Sequence, residues 1–299
     1  MFTTTEEFSF HLDLDNCLVQ SERKAVEKGA WETMLRYQRD VLRKNLPIGK
    51  VLSHRDGTLV AKDGFCQLMA GTTMKMALML AARQCALTVP ESTVDEYDVE
   101  EQLLVTDAFS VELSPMPGAA NLLTSLRKYG KISIVSSSVL YRMWVSLQSA
   151  GLLHLVDQLV TAQGDGYWRG ESGNEKLRWV PPEEWRGRCH SSAYHAGESK
   201  PKPDPYAYNL SYHLLHLGDV VRPKTITIED SAGGMKAATA AQMTFRVGLV
   251  GPEIPAEMKA RHSEALMEAG AHVVVYSLGQ ASTKIEEWIK QQRKMALVG

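Results

Sequence analysis

Between residues 114 and 277, short runs rich in Ile and Val alternate with segments of helical pattern. That alternation constrains the fold more than any other feature of the chain. AANLLTSLRKYG (119–130) has a helical pattern and ends on a glycine suited to a helix C-terminus. KISIVSSS (131–138) reads as a strand, 139–150 as a helix, and LVDQLVT (155–161) as the next strand. The pattern continues with a helix at 205–218, the strand TITIED (225–230), a helix at 233–242, and strands at 245–251 and 272–277. Strands separated by helices pair in parallel through crossovers. The expected class is therefore α/β, with a Rossmann-like, doubly wound parallel sheet carrying helices on both faces. In such sheets a ligand lies beyond the carboxyl ends of the strands.

Upstream, FSFHLDLDNCLVQSE (8–22) opens with another apolar strand candidate at 8–14. Residues 23–112 then read as an all-helical block without a strand, with a turn-rich stretch at 46–64. The expected division is a core of 1–22 plus 113–299 and an inserted helical domain of 23–112. One segment, 164–198, fits neither pattern. It holds three tryptophans and no period, so it reads as a packed excursion that leaves the sheet and returns at Lys200.

The bulk numbers exclude several classes of function. A formal net charge of −2 with no basic block gives nucleic acid or an anionic membrane nothing to bind. Four scattered cysteines with no CxxC pair suit reduced thiols. No apolar run reaches the length of a membrane span, and the N-terminus lacks the pattern of a signal peptide. A cytoplasmic protein, monomeric or weakly dimeric, is expected. Cys189, His190 and His195 lack a fourth ligand at zinc spacing.

The strand ends carry the chemistry. Asp13 and Asp15 close the first strand two residues apart, so they share a face. Ser136, followed by Ser137 and Ser138, closes the second; Lys200 lies in the proline-rich loop KPKPDPY; Glu229 and Asp230 close TITIED. Taken singly, each has a plainer explanation: a polar turn, a helix cap, a solvated lysine. Together they make a cleft of carboxylates that repel one another unless a divalent cation is present, and hard oxygen ligands favour Mg²⁺. One lysine and one hydroxyl added to that set could hold a phosphoryl group. A carboxylate can act as nucleophile, and a second one as general acid and base.

In these motifs the chain resembles the haloacid dehalogenase superfamily, in the branch of small-molecule phosphatases and hexose-phosphate mutases typified by β-phosphoglucomutase. The matching segments are DLDNCLVQSE (13–22), Ser136 in SIVSSS, KPKPD (200–204) and EDSAGG (229–234). The resemblance implies Asp13 as nucleophile and Asp15 as general acid/base. It implies Ser136, Ser137, Asn16 and Lys200 as phosphate contacts, and Asp13, Asp15 (through its carbonyl), Asp230 and Glu229 as holders of Mg²⁺. Residues 23–112 become a cap over the site, with Thr72, Thr73 and Lys75 as substrate contacts. The implied substrate is a small phosphorylated metabolite, such as a sugar phosphate, and the implied reaction is hydrolysis, with mutase chemistry as the alternative. Dehalogenases and phosphonatases of the superfamily generally lack an Asp where Asp15 stands. Three positions depart from the family pattern: Asn16 replaces Gly, Cys17 replaces Thr and Gln20 replaces Asp. These departures are the only support for a further reading, a binding protein that has lost its chemistry.

Overall fold

The structure, a computed structural model, describes residues 8–21, 29–69, 73–111, 113–169, 176–217 and 223–298. Its strands are β1 (Phe8–Leu12), β2 (Val51–Leu52), β3 (Leu59–Val60), β4 (Gly130–Ser136), β5 (Gln158–Thr161), β6 (Tyr167–Arg169), β7 (Lys176–Arg178), β8 (Cys189–Ser191), β9 (Lys224–Glu229), β10 (Phe245–Leu249) and β11 (Val273–Val275). Seven form a parallel sheet in the order β11-β10-β9-β1-β4-β5-β8. From β1 the chain builds outward through β4, β5 and β8. It then crosses to the other side of β1 and continues through β9, β10 and β11. The winding therefore reverses beside β1, and a crevice opens where crossovers depart in opposite directions.

β1 is buried along its whole length, as befits a central strand covered on both faces. Its two faces differ in chemistry. Phe8, Phe10 and Leu12 alternate with Ser9 and His11, and Asp13 follows on the second face. On the apolar side Phe8 meets Trp288 edge-on at 5.9 Å, and Trp288 stacks on Phe245 at 4.9 Å, so the helix Leu278–Val298 seals that face.

The other face packs under the helix Tyr206–Leu215 and carries a buried polar chain. His11 Nδ1 lies 2.8 Å from Ser211 Oγ, and its Nε2 lies 3.1 Å from Ser9 Oγ. Ser211 donates to Ser133 Oγ at 2.7 Å, and Ser133 donates to Gln158 Oε1 at 3.0 Å. Hydrogen bonding makes these polar groups tolerable inside the sheet. Burial, reinforced by the nearby His216, lowers the His11 pKa to about 3, so the ring is neutral.

The described chain divides into two compact units. One comprises 1–20, 114–165 and 180–299 and contains the seven-stranded sheet; the other comprises 21–113 and 166–179. The second unit is built on the helices Trp31–Asp40, Lys62–Met69, Met74–Gln84 and Glu91–Val111. Trp31, Met34, Tyr37, Phe65, Leu78 and Val94 are buried in its own core.

Two sequence expectations are corrected here. The block read as strandless contains the antiparallel pair β2–β3, each strand only two residues long. It is closed by Ser53, whose amide donates to the Thr58 carbonyl at 2.7 Å and whose hydroxyl accepts from Arg55 N at 3.2 Å.

The described residues of the excursion fall into two parts. Its first part is the antiparallel pair β6–β7, which belongs to the helical unit and packs on the helix Glu91–Val111. Its second part returns to the sheet, where β8 extends the edge beside β5. Trp185 anchors this return: it meets Trp144 edge-on at 5.2 Å and lies under the Arg188 guanidinium at 3.8 Å. Arg188 then donates to the carbonyls of Val156 and Asp157.

Candidate active site

The register of the sheet brings the strand-end residues together. Leu12 pairs with Ile134 on β4 and Ile228 on β9, so the next residues, Asp13, Val135 and Glu229, stand level. Asp13 N continues the ladder to the Ile228 carbonyl at 3.1 Å. In-register residues of parallel neighbours project to one side. Asp13 and Glu229 consequently share the polar face, both buried. Asp230 completes a group in which one carboxylate oxygen from each of Asp13, Glu229 and Asp230 lies within 4.8 Å of the others. It is the only such group of potential metal ligands among the described residues.

The ammonium that meets these carboxylates comes from Lys202. Its Nζ lies 2.5 Å from Asp13 Oδ1, 2.6 Å from Glu229 Oε1 and 2.9 Å from the Val135 carbonyl, with the side chain 7% exposed. Lys200, the lysine expected from the sequence, pairs with Glu198 near the surface. The loop KPKPDPY contains the pattern Lys-Pro-x-Pro twice, at 200–203 and at 202–205, and the structure uses the second. That frame runs directly into the helix Tyr206–Leu215, whose first turn is fixed by Tyr206 N donating to Asp204 Oδ1 at 2.8 Å.

Electrostatics follow from this packing. Burial pushes the Asp13 carboxyl up to about 8; Lys202 opposes the rise, while Glu229 and Asp15 add to it. Burial alone would lower the Lys202 pKa, yet Asp13 and Glu229 hold it well above its ordinary value, so the ammonium stays charged. One buried ammonium among three carboxylates leaves excess negative charge. Their oxygens are hard ligands converging on one point, so the donor set fits a divalent cation such as Mg²⁺.

Asp15 points elsewhere. Its Oδ2 accepts from Ser138 Oγ at 2.7 Å and from Ser136 Oγ at 3.2 Å. Its carboxylate is thus aimed at the end of β4, apart from the Asp13–Glu229–Asp230 group. The turn after β4 is itself braced: Ser138 N donates to Ser136 Oγ at 2.9 Å and Thr161 Oγ1 donates to the Ser138 carbonyl at 2.6 Å. The Gln163 side-chain amide donates to the Ser137 carbonyl.

Asn16 adopts a left-handed φ of 55°, the conformation for which glycine is favoured and asparagine tolerated. Its amide donates to the Val19 carbonyl at 2.8 Å, closing the loop after Asp15. Cys17 is fully buried; burial first, and then the charges of Asp13, Asp230 and Glu229, push its thiol well above the usual range. It therefore packs as a neutral side chain.

On the Glu229 side, Ser231 caps the helix Ala232–Ala240 by accepting from Gly234 N at 3.0 Å. Gly234 has no substitute here: a Cβ on it would fall 1.9 Å from Glu229 Oε2. Behind Glu229 stands Tyr208, fully buried, whose hydroxyl donates to Glu229 Oε1. His262 Nε2 lies 2.6 Å from the Asp230 carbonyl.

Sequence reasoning missed Lys202 and Tyr208. The second Lys-Pro-x-Pro frame, and a phenol one turn into the helix it opens, were the available signals. Of the expected cap residues, Thr73 caps the helix Met74–Gln84 by accepting from Met76 N. Lys75 pairs with Glu91 at 2.8 Å and Asp95 at 2.7 Å. Thr72 lies outside the described residues.

Three solved structures with this architecture are informative. A haloacid dehalogenase-like protein of unknown function from Agrobacterium tumefaciens is 19% identical, with a TM-score of 0.58 over 95% of this chain and 99% of that one. A HAD family hydrolase from Deinococcus radiodurans, with bound phosphate and sodium, is 20% identical, with a TM-score of 0.56 over 95% and 97%. A HAD hydrolase of family IA, variant 3, from Entamoeba histolytica is 18% identical, with a TM-score of 0.56 over 92% and 94%. No family model and no curated protein matches the sequence. The likeness is one of architecture: this chain has the haloacid dehalogenase-like fold.

Proposed function

We propose that this chain is a Mg²⁺-dependent phosphatase acting on a small phosphate monoester, such as a sugar phosphate. The observation that carries the reading is the constellation at the end of β1. A buried Asp13 is tied by one oxygen to Lys202, an acidic group fit for a divalent cation adjoins it, and a separate Asp15 is aimed by two serine hydroxyls.

In this reading Asp13, Asp230 and Glu229, with the Asp15 main chain, hold Mg²⁺. The bound ion supplies neutralisation of the carboxylates and of the substrate's phosphoryl charge. Lys202 contributes a second positive charge at the same place, the role first expected of Lys200. Asp13 attacks phosphorus, forming an acyl phosphate as the ester P–O bond breaks. Asp15 acts as the general acid, passing a proton to the departing alkoxide. The same carboxylate then removes a proton from water. That water attacks the acyl phosphate, releasing inorganic phosphate and restoring Asp13. Ser136 and Ser138 hold Asp15 at the end of β4, where its carboxylate would serve both proton transfers.

The Deinococcus radiodurans neighbour carries bound phosphate and sodium, which is in keeping with a phosphate-ester reading of this fold. No helix among the described residues is long and apolar enough to cross a membrane.

The test is phosphate release from sugar phosphates, nucleotides and small esters with Mg²⁺, comparing the wild type with Asp13→Asn. Loss of release in the variant is expected, and equal release from both would sink the mechanism. Interconversion of a hexose phosphate without net release would assign the same residues to a mutase.

A further inference from the structure

We infer that Tyr208 is a positioning residue of the cation site, loading one oxygen of Glu229 so that the other is left for the metal. The inference rests on the cation-dependent reading above and extends it to a residue that touches no reacting atom.

Glu229 is fully buried, and its two oxygens are treated unequally. Oε1 accepts from Lys202 Nζ at 2.6 Å and from the Tyr208 hydroxyl. Oε2 has only a long contact, 3.5 Å from Ser231 Oγ. Two donors on one oxygen leave the spare lone pairs on the other, which is the oxygen able to serve a cation. The phenol also limits rotation of the carboxylate, because Oε1 cannot turn away without losing both donors.

Tyr208 is placed for this task by its own surroundings. It is fully buried on the helix Tyr206–Leu215, and Thr227 Oγ1 approaches its hydroxyl at 3.4 Å from the adjacent strand. Lys202 Nζ lies 5.4 Å from the centre of its ring. A phenylalanine would fill the same volume, so the hydroxyl is what the site adds. Partners behind a metal-facing carboxylate commonly change metal affinity by about ten- to a hundred-fold.

The experiment is titration of the purified full chain with Mn²⁺, followed by electron paramagnetic resonance, for wild type, Tyr208→Phe, Tyr206→Phe and Asp13→Asn. The expected result is wild-type binding in Tyr206→Phe, loss in Asp13→Asn, and a dissociation constant raised at least about ten-fold in Tyr208→Phe. Wild-type affinity in Tyr208→Phe, with Asp13→Asn impaired, would overturn the role of Tyr208 and leave the cation site standing. Absence of binding in the wild type, or intact binding in Asp13→Asn, would overturn both. Should Tyr208→Phe not fold, infrared difference spectra of ring-deuterated wild type decide the matter. A tyrosine band perturbed by Mn²⁺ supports the inference, and an unperturbed set refutes it.

Discussion

Replacing Lys202 by methionine keeps most of the side-chain volume and removes the charge, so it isolates what the ammonium does. In the structure its ammonium is paired at 2.5 and 2.6 Å with two carboxylates that are themselves 9% and 0% exposed. Removing one partner of a buried ion pair leaves a charge without compensation and costs about 3–5 kcal/mol. The loss depends on pH in a definite direction. Burial already raises Asp13 to about 8, and removing Lys202 takes away the one influence working against that rise. The folded variant therefore binds a proton that the unfolded chain releases above about pH 4. Stability is retained in acid and lost as pH rises through the folded pKa. Wild type and variant both hold this proton at neutral pH, so chemical unfolding of metal-free Lys202→Met should show a deficit relative to wild type that is level from about pH 5 to pH 7 and widens as pH rises past about 8. Loss of a charge-stabilising donor should also lower turnover by about 10²–10³-fold. Lys200→Met is the matched control: its partner Glu198 is well exposed, and both stability and turnover should stay at wild-type levels. An inactive Lys200→Met beside an active Lys202→Met would refute the assignment of the site lysine.

Three further outcomes follow from the same geometry. Below pH 6.5 the unfolded chain protonates His11 while the folded chain, with its pKa near 3, does not, so stability falls as pH falls through that window. The loss from this residue is about 2 kcal/mol by pH 5, and His11→Asn should flatten the slope in acid unfolding curves. Gly234→Ala places a methyl group against Glu229 Oε2 and should destabilise the fold by about 1–3 kcal/mol while weakening Mn²⁺ binding in the same titration. Cys17, buried and held as a thiol, should resist alkylation by iodoacetamide in the native protein and react only on unfolding; prompt native labelling would contradict its placement.

The carboxylates were legible in the sequence because strand periodicity carries direction. Once 8–14 is a strand, Asp13 must follow Ser9 and His11 on one face, and Glu229 must close the parallel neighbour. The lysine was not legible in the same way. Two overlapping Lys-Pro-x-Pro frames are equivalent as text, and only the reach from the loop to Asp13 separates them. Tyr208 was hidden because an aromatic residue in an amphipathic helix ordinarily signals core, and its hydroxyl matters only when Glu229 lies behind it. β8 was missed for a related reason. Three residues at a sheet edge are too few to show a period, and Trp185 and Arg188, which fix that return, act through contacts with distant segments.

The hairpin β6–β7 changes what the helical unit is as a piece of polypeptide. Because 166–179 belongs with 21–113, the chain passes between the two units four times, at 20/21, 113/114, 165/166 and 179/180. A single insertion would have made a cassette, removable by one deletion and a short splice. Here that deletion would strand a two-stranded ribbon whose packing partner, the helix Glu91–Val111, has gone with the excised piece. An isolated ribbon of this size does not hold its shape in water. Excision, grafting and exchange of the helical unit between proteins must therefore move two separate stretches of sequence together, and a backbone cut in either stretch alone leaves the units joined.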